Sequence, residues 1–146
     1  MQENNQSAID TIKKWLNRGR YALHEIETLA ESKKAAIARA TKITGSYNER
    51  VVGVKGNRHD AALIAAAELG VDIDIRIAEL NGILCEISHA IYSVDDGLLR
   101  ILLINRYVLL KTWEQIAVDM NYGWAQVHRL HSKAIRKITI PKDDTL

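Results

Sequence analysis

The side chains best suited to chemistry lie near the carboxyl end, where residues 124–138 read WAQVHRLHSKAIRKI. Set on a helix, Val127, Leu130 or His131, Ala134 and Ile138 share an inner face, and Ala125, Gln126, His128, Arg129, Ser132, Lys133, Arg136 and Lys137 an outer one. The outer face is an array of hydrogen-bond donors with positive charge. A glutamine amide matches the edge of adenine and a guanidinium the edge of guanine, each through paired hydrogen bonds, and cations attract phosphate. The chemistry is recognition of a nucleic acid, with no bond made or broken. The first turns of a helix in the major groove come nearest the bases. Ala125, Gln126 and Arg129 are therefore expected at base edges, and Trp124, His128, Ser132, Lys133, Arg136 and Lys137 at phosphates.

Other chemistries find little support. His128 and His131 are three apart, but no cysteine or carboxylate stands near them at ligand spacing, so no metal is expected. Cys85 is the only cysteine, which excludes an internal disulfide. It reads as a small buried or flanking side chain. The carboxylates of residues 60–97 spread around a helix as a solvated face does. No nucleophile elbow, Walker loop or dinucleotide fingerprint is present, so neither an enzyme nor a cofactor is expected.

A reading helix needs a support that sets its angle. Thr112 with Gln115 three residues on has the form of a capping box and opens a short amphipathic helix ending near Met120. Its inner face is Ile116, Ala117 and Met120, and the small Ala117 suits a close helix crossing. Asn121, Tyr122 and Gly123 form a turn, with Gly123 in place of the usual hydroxyl cap. Thr112 and Trp113, at the start of the support, are expected to meet phosphate. Before them, Leu98 to Leu110 reads as a helix apolar on most sides, with polar positions only at Arg100, Asn105 and Arg106. Such a helix fits the centre of a small three-helix domain. The bland alternative is the same domain with a solvated basic face and no DNA.

Upstream, apolar residues repeat by sevens. One row is Ile9, Leu16, Leu23, Ala30, Ile37; a second is Ile12, Gly19, Ile26, Lys33, Ala40; a third is Ala8, Trp15, Ala22, Leu29, Ala36, Ile43. Ser7 is the expected cap of this helix. From Asp60 to Val94 a seam of Leu63, Ala66, Gly70, Ile73, Ile77, Leu80, Leu84, Ile87, Ile91 and Val94 alternates by three and four. Residues 1–59 carry 11 Lys/Arg against 6 Asp/Glu, residues 60–97 carry 1 against 8, and residues 98–146 carry 8 against 4. A basic helix and an acidic one should pack antiparallel, with Ala40 opposite Leu63, Ile26 opposite Ile77 and Ile9 opposite Val94. The stripes are wider than one seam requires. That implies a second contact, with another copy or with the C-terminal domain.

The expected fold is all-α: a long antiparallel, coiled-coil-like helical hairpin at 1–96, a three-helix helix-turn-helix domain at 97–140 and a tail at 141–146. The link 44–59 holds three glycines with Arg50, Lys55 and Arg58, and reads as a mobile connector or, less simply, a phosphate contact. The polar start and the lack of a long uncharged apolar run predict a cytoplasmic protein with no membrane span.

Residues 98–138 also resemble the region-four helix-turn-helix of bacterial sigma factors. The matching residues are Arg106-Tyr107, then Trp113-Glu114-Gln115-Ile116-Ala117, then Val127 through His131, and Ala134. The whole chain resembles the phage and prophage late transcriptional regulators of the ArpU/RinA kind, the N-terminal part by layout. It departs from the pattern at Gly123-Trp124, where a serine and a polar residue are more usual. The resemblance implies a regulator of transcription that binds double-stranded DNA, with the hairpin forming a homo-oligomer (a dimer before other states) or contacting RNA polymerase. Two rivals remain: a DNA-packaging terminase small subunit, and a protein-binding module acting on a host factor.

Overall fold

The computed structural model describes residues 2–47 and 56–142, with side chains for 2–42 and 60–142. All regular structure among them is helical. Helix α1 spans Gln2–Tyr47, α2 Gly56–Tyr92, α3 Gly97–Leu103, α4 Trp113–Met120 and α5 Trp124–Ile135. A π-helical turn, Ile104–Val108, continues α3. The chain divides into two compact units, one of residues 1–22 with 82–146, the other of residues 23–81.

In the second unit α1 and α2 pair antiparallel. Lys33 Nζ binds Asp74 at 2.9 Å and Arg76 Nε binds Glu25 at 3.0 Å. Ala36, Ala40, Ile73 and Leu80 are buried. In the first unit the same pairing continues, with Arg18 on Glu86 at 3.4 Å and Gly19 facing Leu84 and Ile87. These contacts follow the expected register. They are half-exposed ion pairs, each worth at most about 1 kcal/mol, so they set alignment more than stability.

The seam moves around α1. Ile9 and Leu16 are buried, but Ala30 and Ile37 of the same seven-residue row are exposed, while Ala22 and Ala36 of the neighbouring row are buried. Ile9 and Leu16 belong to an apolar cluster that the C-terminal helices complete, whereas the second unit has only α1 and α2 to bury its rows, so different rows are covered in the two units. Leu63 is likewise exposed. Gly19 interrupts its apolar row for a steric reason: an added Cβ would sit 3.1 Å from Ile87 Cδ1 and 3.8 Å from the Tyr107 carbonyl oxygen.

The first unit holds the main core. Ile9 and Leu16 of α1 and Ile87, Ile91 and Val94 of α2 join Leu99, Leu102, Leu103, Tyr107, Ile116, Val127, Ala134, Ile135 and Ile138 in one apolar cluster. The C-terminal helices thus cover the extra width of the α1 stripe in this unit. Leu16, Leu102, Leu103, Ile116 and Ile135 are fully buried, each worth about 1.5–3 kcal/mol of transfer free energy.

Four boundaries differ from those expected. Ser7 is not a cap: α1 already runs from Gln2, and the Ser7 carbonyl accepts from the Thr11 hydroxyl within the helix. The connection expected over 44–59 is narrower, since the backbone is helical through Tyr47 and again from Gly56. Arg50 and Lys55 lie outside the described residues, as does the Arg58 side chain. The helix expected over Leu98 to Leu110 changes at Ile104 to a π turn, whose Leu109 amide donates to Ile104 O. Leu110 then takes φ 55°, an uncommon conformation for a branched residue, and ends the helix. Finally α5 stops at Ile135, short of the expected Ile138, because the amides of Lys137 and Ile138 bond three residues back instead of four. Among the described residues no helix is long and apolar enough to cross a membrane.

Candidate nucleic-acid interface

The supporting helix starts as its sequence dictates. The Thr112 hydroxyl accepts from the Gln115 amide at 3.2 Å, and Gln115 Oε1 accepts from the Thr112 amide at 3.0 Å, closing the capping box. Asn121 ends α4 at φ 57°, a left-handed geometry that asparagine tolerates. Its turn lets the Tyr122 amide reach Ala117 O at 3.0 Å. Gly123 then caps α5 by backbone alone. Ile116 of α4 and Val127, His131, Ala134 and Ile135 of α5 are buried. Ala117 and Met120 pack on the same core. This is a helix-turn-helix with its second helix presenting one face outward.

That outward face carries Ala125, Gln126, Arg129, Ser132 and Lys133, all exposed. Arg129 Nε leans back on Ala125 O at 3.4 Å, and the Ser132 hydroxyl donates to His128 O at 3.2 Å. Both are weak restraints that another acceptor can displace. Arg136 and Lys137 are exposed too, but Arg136 is the C-cap and Lys137 follows it, so neither extends the helical face.

The remaining expected phosphate contacts are placed differently. Thr112 is exposed, with its oxygen engaged by the cap. Trp113 is half-buried in the core cluster. Its ring lies 4.7 Å from that of His128 and 4.6 Å from that of His131, and the Arg106 guanidinium stands 4.4 Å above it. His128 is held between Trp113 and Trp124, whose ring is 4.0 Å away. His128 Nε2 is buried and has no hydrogen-bond partner among the described residues. Trp124 itself is 60% exposed at the first position of α5, where a ligand along the helix start would meet it.

Beneath this face lies a buried polar pair. His131 Nε2 and the Tyr107 hydroxyl are 2.7 Å apart. Burial, aided by the nearby cations Lys13 and Arg106 and by His128, lowers the His131 pKa to about 4. Burial raises that of Tyr107 to about 12. Both groups are neutral at neutral pH, so the core beneath the reading helix holds no charge.

The sequence did not single out Arg106, Lys13 or Arg20 as binding groups. Arg106 is anchored, donating from Nη1 to Lys111 O at 3.0 Å. Its pKa is lowered, first by burial and then by Arg20. The only sequence signal for the pair Lys13 and Arg20 is their seven-residue spacing, which puts both on one face of α1.

Cys85 is exposed on α2. Among the described residues no group of three His, Cys, Asp or Glu side chains could hold a metal ion. No family model, no curated protein and no solved structure matches this chain.

Proposed function

We propose that the chain is a sequence-specific double-stranded DNA-binding transcriptional regulator of phage type, with α5 lying in the major groove and Gln126 and Arg129 at base edges. The observation that carries this reading is the outward face of α5. It presents a bidentate amide, a guanidinium and an ammonium on a helix whose opposite face is locked into the core by Val127, Ala134 and Ile135. A rigid donor array costs little further ordering on binding. Ala125 is small enough to let the helix approach, and Lys133, with Trp124 at the helix start, borders the groove. The sigma-like motif supports a role at promoters, with RNA polymerase as a further partner and the cytoplasm as the place of action.

The reading includes self-association. On α2, Ile64, Val71 and Ile75 are each more than half exposed, and Ala67 and Ala78 are exposed at the intervening helical spacings. A second copy seated on that row gives a dimer, whose two reading helices favour a symmetric or repeated site. The same row favours the DNA-packaging reading if many copies close into a ring, and sedimentation separates the two.

The test of sequence reading is selection of bound duplexes from a random pool, repeated with Gln126→Ala and Arg129→Ala. Each substitution should relax the preference at its own base position, by about 1–3 kcal/mol for a lost bidentate contact. Identical preferences in wild type and both variants would remove α5 as the reader.

A further inference from the structure

We infer that α1 supplies a second set of DNA-backbone contacts, with Lys13 and Arg20, beside Arg106, forming a phosphate-binding edge along the α5 surface. This rests on the DNA reading above and extends it to a helix outside the helix-turn-helix. The geometry starts at Gly19 of α1, which faces the Tyr107 carbonyl of the π turn: a Cβ built there would lie 3.8 Å from that oxygen. Arg20, which follows Gly19, and Arg106, which precedes Tyr107, are the chain neighbours of this contact. Arg106 lies over Trp113, Trp113 over His128, and His128 against Trp124. One turn either side of His128 on α5 stand Ala125 and Ser132, members of the outward face. These contacts run from the π turn to the reading helix, and α1 lies beside their start at Gly19.

The charges on this edge are uncompensated. Arg18, Lys33, Arg76 and Lys111 each hold a carboxylate within 4.0 Å, whereas among the described residues Lys13, Arg20 and Arg106 form no such pair. Glu114 favours the Arg106 charge from a distance, but burial and Arg20 outweigh it. Lys13 similarly acts on His131. Cations gathered against their own repulsion, one of them with its guanidinium over a tryptophan ring, are arranged for an anion. Lys13 and Arg20 are about 10 Å apart along α1 by helical rise, within the span of two or three phosphates on one DNA strand.

The experiment measures binding of a labelled random-sequence duplex across a salt series for wild type, Lys13→Gln/Arg20→Gln and Arg129→Gln/Lys133→Gln. The inference expects Lys13→Gln/Arg20→Gln to weaken binding roughly ten- to a hundred-fold at ~0.1 M salt and to flatten the slope of log K against log salt by about 2. Arg20 is exposed, so Arg20→Gln alone keeps the fold and should flatten the slope by about 1. Wild-type binding that weakens with Arg129→Gln/Lys133→Gln but is unchanged in slope and affinity with Arg20→Gln overturns this inference alone. Absence of wild-type binding overturns it together with the DNA reading.

Discussion

Protonation of His131 should destabilise the helix-turn-helix unit, and the size of the effect follows from its burial. The imidazole is 6% exposed, in contact with Tyr107 and Trp113, and its pKa is about 4 in the folded chain against 6.5 unfolded. Above the unfolded pKa both states are neutral and the full contribution is present. As pH falls through the window from 6.5 to 4 the unfolded chain takes up a proton that the folded chain resists, so stability falls. Below the folded pKa both states are protonated and the loss levels off. Two and a half pH units of that slope amount to about 3 kcal/mol, a large part of a small domain's ~5–15 kcal/mol. Urea unfolding between pH 7 and pH 4 measures it. Tryptophan emission is a local reporter, because Trp15, Trp113 and Trp124 all belong to the first unit. His131→Gln removes the titration and shares every carboxylate with wild type, so the difference between the two pH profiles isolates His131. Wild type should lose about 3 kcal/mol more than the variant. Parallel profiles, or an NMR titration placing His131 near 6.5, would refute a buried neutral imidazole.

Two further predictions test packing and assembly. Gly82→Ala on the exposed side of α2 meets nothing within 4 Å and should raise stability by about 0.5–1 kcal/mol through helix propensity, whereas Gly19→Leu should cost about 1–3 kcal/mol by overpacking against Ile87 and the Tyr107 carbonyl; thermal unfolding compares them. Val71→Lys/Ile75→Lys, on exposed α2 positions, should leave helicity unchanged and shift sedimentation to the monomer, and an unaltered assembly would remove that row as the interface.

The parts of the fold legible in the sequence are those set by local chemistry or by repeated burial. The capping box at Thr112 and Gln115 and the turn at Asn121 depend on residues close in the chain and stand as expected, and the seam of α2 is buried at Ile73, Leu80, Ile87, Ile91 and Val94 but not at Leu63. The α1 rows were legible only in part, because which row is buried depends on the packing partner, the C-terminal helices at Ile9 and Leu16 and α2 alone in the second unit. The π turn was not legible: the sequence from Ile104 to Val108 suits an α-helix, and the wider turn comes with tertiary contacts of Tyr107 and Arg106. At the candidate interface, the outward face of α5 follows from periodicity. The burial of His128 Nε2 between two tryptophans does not, since those rings come from different helices. For Lys13 and Arg20 the sequence shows only their shared face of α1, since the nearness of Gly19 to the Tyr107 carbonyl is a tertiary feature.

The most direct test of the central claim is fluorescence anisotropy of a labelled duplex across a salt series, wild type beside Arg129→Ala/Lys133→Ala. The DNA reading predicts binding whose affinity falls steeply with salt, with a weaker and flatter dependence in the variant, as lost counterion release requires. No binding at low salt, or equal binding by wild type and variant, contradicts a DNA-reading role for α5.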